Sequence, residues 1–209
     1  MSMEHKQQSS EAAGSGDEFG LHTEIPPPRQ RIFMQRSYLE RALSFIWRVT
    51  WSVLCRWSPD HFNVWRIWVL RRFGVKIPYN TYISRSVRIE FPWNLKIGEH
   101  CRIDHGVIIT CMGTVDIGNH CHISQYSHMC AGTHEYQKRN MHIIRSPISI
   151  GDYTWIAADV FIGPGVKVGQ HVVVGARSSV FSDLEDNIIA VGEPAKKIKD
   201  NKWMESPVP

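Results

Sequence analysis

Six of the eleven histidines, His100, His105, His120, His122, His128 and His134, fall within 35 residues, interleaved with Cys101, Cys111, Cys121 and Cys130. Side chains of these types support three chemistries. An imidazole titrates near working pH and can serve as general base for a hydroxyl nucleophile. A cysteine can attack as a thiolate, and Cys130, four residues before His134, and Cys111 are the rivals for that role. Converging imidazoles can bind zinc, and His100, His105 and His120 have a suggestive spacing. An imidazole base also gains from an orienting carboxylate, for which Asp104, Asp116 and Glu135 are the candidates.

The elements that must position these groups are written as a repeat. Aliphatic side chains recur every six residues at Ile77, Ile83, Ile89, then Ile97, Ile103, Ile109, then Ile117, Ile123, Met129. They resume at Ile150, Ile156, Ile162, Val168, Val174 and Val180. Four residues after most of them stands a smaller side chain, such as Thr81, Cys101, Cys121, Ser127 or Thr154, and Gly98, Gly118, Gly151 and Gly169 directly follow the aliphatic residue. A period of six is not helical. It fits short strands joined by regular turns, with one large and one small inward residue per strand. Three strands make one triangular coil, so the fifteen hexads predict a parallel β-helix of about five coils over 75–190. Glu135 to Ser149 interrupts the period, and its polar composition predicts an external loop. Side-by-side threefold association would cover the flat faces of such a prism.

The repeat distinguishes His134 from the other histidines. It closes the last hexad before the excursion, at a coil corner, and loops on rigid scaffolds often carry function. The plainer alternative is a surface corner imidazole. The cysteines stand at small-residue positions, which reads as packing. His122, His128 and His134 take equivalent places on successive faces, so within one chain they point apart.

Before the repeat, residues 31–74 read as a helical arm. Leu39, Leu43, Ile46, Thr50, Val53 and Trp57 share one helix face, and Arg41, Arg48 and Arg56 cluster on another. Ser58-Pro59 reads as the start of a second helix ending at Gly74. Nine arginines between Arg29 and Arg72 face only Glu40 and Asp60, a local net of +7, which leaves −3 for the rest of a chain whose total is +4. Two readings fit. The arm caps the main domain or a neighbouring subunit, or it lies on an anionic membrane with Trp47, Trp51, Trp65 and Trp68 at headgroup level.

The composition is that of a globular protein, 43% hydrophobic and 21% charged, with charge too mild and mixed for a nucleic-acid binder. Five cysteines without a CxxC pair argue against a disulfide framework and fit reduced thiols in the cytoplasm. Residues 1–30 read as a disordered tail without a signal-peptide core, and no uncharged run reaches membrane-spanning length.

The repeat resembles the left-handed β-helix of hexapeptide-repeat acyltransferases. The run PISIGDYTWIAADVFIGPGVKVGQHVVVGARSSV, Pro147 to Val180, and VGEPAKKIK, Val191 to Lys199, are similar to the sugar O-acetyltransferases, the galactoside and maltose enzymes among them. FPWNL (Phe91 to Leu95) and ISQYSHMCAGTHEY (Ile123 to Tyr136) resemble the branch labelled colanic acid biosynthesis acetyltransferase. The likeness covers residues 60 to 199.

The resemblance implies a trimeric, acetyl-CoA-dependent O-acetyltransferase without a metal. It acts on a sugar, nucleotide sugar or lipid-linked glycan in surface-polysaccharide synthesis, in the cytoplasm or at the inner face of the membrane. His134 matches the base that takes the acceptor proton, the hydroxyl attacks the acetyl carbonyl directly, and coenzyme A leaves as thiolate. Asp104 lies near the family's polar acceptor contact, and Glu135 is a second acceptor-side or orienting group. Trp155, Ala158 and Ala176 match the wall of a cofactor groove between neighbouring β-helices. The Ala158 N–H is a contact for oxyanion or pantetheine. Lys196 and Lys199, with Arg177 nearby, match the phosphate contacts. One departure is Phe181-Ser182-Asp183, where the family has a Thr-Lys-Asp-like element with a phosphate-side lysine. Two other readings remain. The prism also resembles γ-class carbonic anhydrases, whose metal sits on histidines of two subunits, though that leaves GEPAKKIK unexplained. A non-catalytic scaffold would bind an acidic surface through the arm.

Overall fold

A computed structural model describes residues 37–202 in full and Ile32–Phe33 as backbone. The expected tail over 1–30 lies outside the described residues.

The six-residue period folds as a left-handed parallel β-helix of about five coils with three faces. Face one stacks Tyr82–Ile83, Arg102–Ile103, His122–Ile123, Trp155–Ile156 and Val173–Val174, and ends in Ile188–Gly192. Face two stacks Arg88–Glu90, Ile108–Thr110, His128–Cys130, Phe161–Ile162 and Ser179–Val180. Face three stacks Leu95–Ile97, Val115–Ile117, Ile148–Ile150 and Lys167–Val168. Because the strands are in register, the aliphatic residues form columns. Ile83, Ile103, Ile123, Ile156 and Val174 make one, and Ile89, Ile109, Met129, Ile162 and Val180 another. None of these is more than 5% exposed. Each such burial stabilises by about 1.5–3 kcal/mol relative to exposure.

The smaller residues lock a corner. Thr81 Oγ1 donates to the Gly98 carbonyl at 2.8 Å, Cys101 Sγ to Gly118 at 2.9 Å, Cys121 Sγ to Gly151 at 3.1 Å and Thr154 Oγ1 to Gly169 at 2.8 Å. A Cβ on Gly98 would lie 2.6 Å from the Gly118 carbonyl oxygen, so glycine is the residue that lets the coils stack. Beyond this corner His100, His120, Tyr153 and His171 all take left-handed backbone, φ 53 to 56. Such backbone is costly for non-glycine residues. Their rings stack in a ladder at 4.9, 4.7 and 5.1 Å.

The arm caps the first coil. Helix α1 (Tyr38–Thr50) starts at Ser37, whose side chain accepts from the Glu40 N–H, and continues into a π-helical turn, Trp51–Cys55. Trp47 Nε1 donates to the Ile89 carbonyl at 2.7 Å and Trp51 Nε1 to that of Val87 at 2.9 Å. Helix α2 (Asn63–Arg72) adds Asn63, whose amide bonds the Thr81 carbonyl and the Ile83 N–H, and Arg66, whose Nε donates to the Ile83 carbonyl at 2.9 Å. The exposed edge of the first coil thus finds side-chain partners, the usual protection of a sheet edge. Trp47 and Trp51 are 2% and 8% exposed, which corrects the sequence reading that put them at lipid headgroups: an indole N–H seeks an acceptor, and the coil edge offers one. Ser58-Pro59 also differs from its expected place at the start of the second helix, which begins at Asn63. The Ser58 hydroxyl donates to Cys55 and accepts from Arg66, and a 3-10 turn, Asp60–Phe62, precedes α2.

The excursion after His134 is more ordered than the polar loop expected. Gly132–His134 pairs antiparallel with Ile143–Arg145, which pairs in turn with Ile32–Phe33. Ile144 is 1% exposed, and the one continuous run fully on the surface is the tip, 136–142. Alternating burial was hidden there by charged neighbours.

Candidate active site

The hairpin that carries His134 leaves the prism at the edge between faces two and three, where Ala131 accepts from the Gly113 and Ser146 N–H groups. His134 is exposed. Its Nδ1 lies 2.9 Å from the Met141 carbonyl oxygen. A carbonyl only accepts, so Nδ1 carries the hydrogen and, in the neutral ring, Nε2 carries the lone pair. That is the tautomer a general base needs, fixed here by backbone.

None of the three candidate carboxylates makes that bond within the chain. Asp104 holds His122 Nε2 at 2.7 Å and Arg102 Nε at 2.8 Å. Asp116 pairs with Lys96 at 2.9 Å. Glu135 turns inward, its side chain 8% exposed, and pairs with Lys138 at 2.9 Å, while its Oε2 has no partner among the described residues. Glu135 is thus tied into the hairpin rather than to the imidazole, and its N–H donates to the His142 carbonyl at 2.8 Å.

The rival nucleophiles are poorly placed. Burial raises the Cys130 thiol above its ordinary range, and Cys111 is raised further in full burial, so both stay protonated at neutral pH. Burial likewise lowers the pKa of His128, which bonds Thr110 Oγ1 at 3.2 Å. His100 and His120 belong to the corner ladder, and His105 packs edge-on against Tyr126. Among the described residues no three His, Cys, Asp or Glu side chains converge as a metal set.

The expected cofactor residues gather on face one and its edge with face two. Trp155 is 48% exposed, with Nε1 on Ser124 Oγ at 2.9 Å. Ala158 and Ala176 stack one coil apart, since the Arg177 N–H donates to the Ala158 carbonyl at 2.9 Å. The N–H groups of Ala158 and Ala176 make no hydrogen bond among the described residues, so this edge presents two open donors in file. Arg177 is exposed, with Nε 3.7 Å from Asp159. Lys196 and Lys199 stand on Ala195–Asp200, antiparallel to Ile188–Gly192 and opposite Val191 and Ile189. Ile189 continues the row of Trp155 and Val173. Opposed residues share a sheet face, so Lys196 and Lys199 lie on the side that carries Trp155. Lys197 opposes the buried Ala190 and pairs with Asp200 at 2.6 Å. Sequence reasoning missed the Met141 carbonyl, which has no side-chain signature.

Comparison with known proteins decides the family. The family model described as "Bacterial transferase hexapeptide (six repeats)" matches residues 147–182. The chain is 40% identical over 155 residues to an Escherichia coli (strain K12) protein whose assigned name is colanic acid biosynthesis acetyltransferase WcaF, covering 74% of this chain and 85% of that one. This chain belongs to the hexapeptide-repeat acetyltransferase family. Within it, the galactoside O-acetyltransferase of E. coli (strain K12) is 29% identical over 135 residues, 63% of this chain and 66% of that one. A maltose O-acetyltransferase from Clostridium difficile 630 superposes with a TM-score of 0.72 at 25% identity, over 80% of this chain and 90% of that one. The fold is shared with the Vibrio cholerae hexapeptide-repeat acetyltransferase VCA0836, seen with acetyl coenzyme A, at a TM-score of 0.75 and 24% identity, over 84% of this chain and 96% of that one. In the segment Phe181-Ser182-Asp183 of this hexapeptide-repeat acetyltransferase, the Phe181 ring packs 5.7 Å from Phe161.

Proposed function

We propose that this chain transfers the acetyl group of acetyl-CoA to a hydroxyl of a sugar or glycan, with His134 as general base. The observation that carries the reading is the exposed imidazole whose Nδ1 is held by the Met141 carbonyl, leaving Nε2 to accept a proton. The acceptor hydroxyl gives its proton to His134 Nε2 as its oxygen bonds to the acetyl carbon. The carbonyl electrons move to oxygen, where the Ala158 N–H is available as donor. Collapse breaks the carbon–sulfur bond, and the coenzyme A thiolate recovers the proton from the imidazolium. No acyl-enzyme forms, in keeping with cysteines that stay protonated.

Trp155, Ala158, Ala176 and Arg177 would line the donor's pantetheine arm, with Lys196 and Lys199 at its phosphates. Asp104, held between His122 and Arg102, would meet the acceptor. His134 and the donor edge lie on opposite sides of face two, so one chain does not complete the site. A threefold assembly that sets one chain's hairpin against the donor edge of its neighbour would complete it, and this supports a homotrimer. The names of the relatives support a sugar acceptor and a place in polysaccharide synthesis. Five free cysteines, four of them buried, fit a reducing cytoplasm, where acetyl-CoA is available.

The test is acceptor-dependent thiol release from acetyl-CoA over a panel of sugars, nucleotide sugars and lipid-linked glycans, with wild type and His134→Ala. A loss of about a hundredfold or more in the variant supports the base. Undiminished release by the variant moves the chemistry elsewhere. No release with any acceptor, together with no coenzyme A binding, leaves a scaffold.

A further inference from the structure

The apolar stripe of α1 does not pack on the β-helix. Leu39 is 68% exposed, Val53 64% and Trp57 79%, while the side chains that do pack, Trp47, Trp51 and Cys55, form the adjoining sector. The second helix continues the surface. Trp65 and Trp68 stack at 5.1 Å, and Val53, Leu54, Trp57, Phe62 and Trp65 border one shallow groove of about 480 Å³. Contiguous exposed apolar side chains of this kind mark a docking surface rather than ordinary solvent-facing residues.

The exposed, unpaired charge of the arm is of one sign. Arg41, Arg48, Arg56, Arg71 and Arg72 are exposed and have no Asp or Glu partner among the described residues. The two acids of the arm are committed elsewhere, Glu40 to Arg145 at 3.1 Å and Asp60 to Arg85 at 3.9 Å. Arg72 lies over the Trp68 ring at 5.0 Å and Arg41 over Tyr38 at 6.0 Å. Guanidinium groups beside partly exposed aromatic rings suit a boundary with water and phosphate on one side and acyl chain on the other. A second copy of the arm would bring like charges together, whereas an anionic bilayer answers both the apolar stripe and the arginines. No helix among the described residues is long and apolar enough to cross a membrane, so the contact lies in the interface plane.

We propose that the arm is a docking surface for an anionic phospholipid bilayer, with Leu39, Val53, Trp57 and Trp65 entering the headgroup–acyl boundary and Arg56 and Arg72, which flank these side chains, meeting lipid phosphates. The contact holds the prism at a membrane whichever hydroxyl it acetylates, and it stands apart from the reaction. The test is flotation of the full chain with phosphatidylcholine vesicles, with and without phosphatidylglycerol. Flotation should appear with the anionic vesicles and weaken with salt. Trp57→Glu combined with Val53→Glu, and Arg56→Glu combined with Arg72→Glu, should each lower partitioning at least about tenfold, with melting temperature and thiol-release activity on a soluble acceptor retained. Trp57→Phe should float like wild type. Failure to float with either vesicle overturns the proposal. So does a Trp57→Glu/Val53→Glu protein that floats normally but changes oligomeric mass, which would assign the surface to a second copy.

Discussion

His134 is hydrogen-bonded to Met141 across the tip of its own hairpin, Nδ1 to carbonyl oxygen at 2.9 Å. The segment that lifts the imidazole off the prism therefore also sets its tautomer. Nitrogen-detected NMR at a pH where the ring is neutral should show the hydrogen on Nδ1. A hydrogen on Nε2 instead would place the lone pair on the wrong side for the proposed proton transfer.

Glu135 and Lys138 brace that hairpin from beneath. Glu135→Gln should lower kcat about tenfold while leaving the KM for acetyl-CoA near its wild-type value, because a small displacement of the base costs rate more than donor binding. Equal loss in Lys138→Met would show that the pair acts as a unit. A Glu135→Gln enzyme with unchanged kcat would show that the hairpin holds without it.

Sheet register separates three neighbouring lysines. Lys196→Ala combined with Lys199→Ala should raise the KM for acetyl-CoA about tenfold at low salt, and the defect should shrink as salt rises. Lys197→Ala, whose partner is Asp200, should change it by less than about twofold. Steady-state kinetics at two salt concentrations distinguish the pair, and similar effects at all three positions would mean an unstructured basic tail.

Arg66 is fully buried and donates to Ser58 Oγ and to the carbonyls of Pro59, Asp60 and Ile83. Arg66→Met leaves these acceptors without their donor. Urea unfolding should show a loss of about 3–5 kcal/mol. Arg66→Lys should rescue little of it, because an ammonium does not reproduce the guanidinium fork.

Cys130→Ser should keep activity within about threefold, since the thiol is not the nucleophile. Burial raises its pKa, so the reactive thiolate is scarce at neutral pH. Alkylation of Cys130 should be slow at pH 7 and quicken only above the ordinary thiol range of about 8.5. Rapid inactivation at pH 7 by iodoacetamide would contradict this.

The prism was legible because its period is carried by single residues: Ile103, Ile123 and Ile156 stand where the six-residue count puts them, and all are buried. The place of His134 at the foot of the excursion was legible for the same reason, as the last position before the count fails. The arm was not. The helix pattern located an apolar stripe from Leu39 to Trp57, but which face packs depends on the carbonyls of Val87 and Ile89, dozens of residues away. Arg66 was counted with the surface charge because nothing local distinguishes it from Arg71. The Met141 carbonyl is backbone, and every residue has one.

The excursion also has a consequence for how the chain folds. On face one, coil-to-coil partners are Ile83 and Ile103, then Ile123, Ile156 and Val174. Every closure on this face, including the last from Val174 to Ala190, spans 16 to 20 residues except the step from Ile123 to Ile156, which spans 33. Lengthening a flexible loop by that ratio adds only about 0.5 kcal/mol of closure entropy, but it falls on a structure that otherwise grows by uniform neighbour addition. The two lower coils and the two upper ones are thus joined at a single uneven step, and the segment that must be ordered to cross it is the one that bears His134.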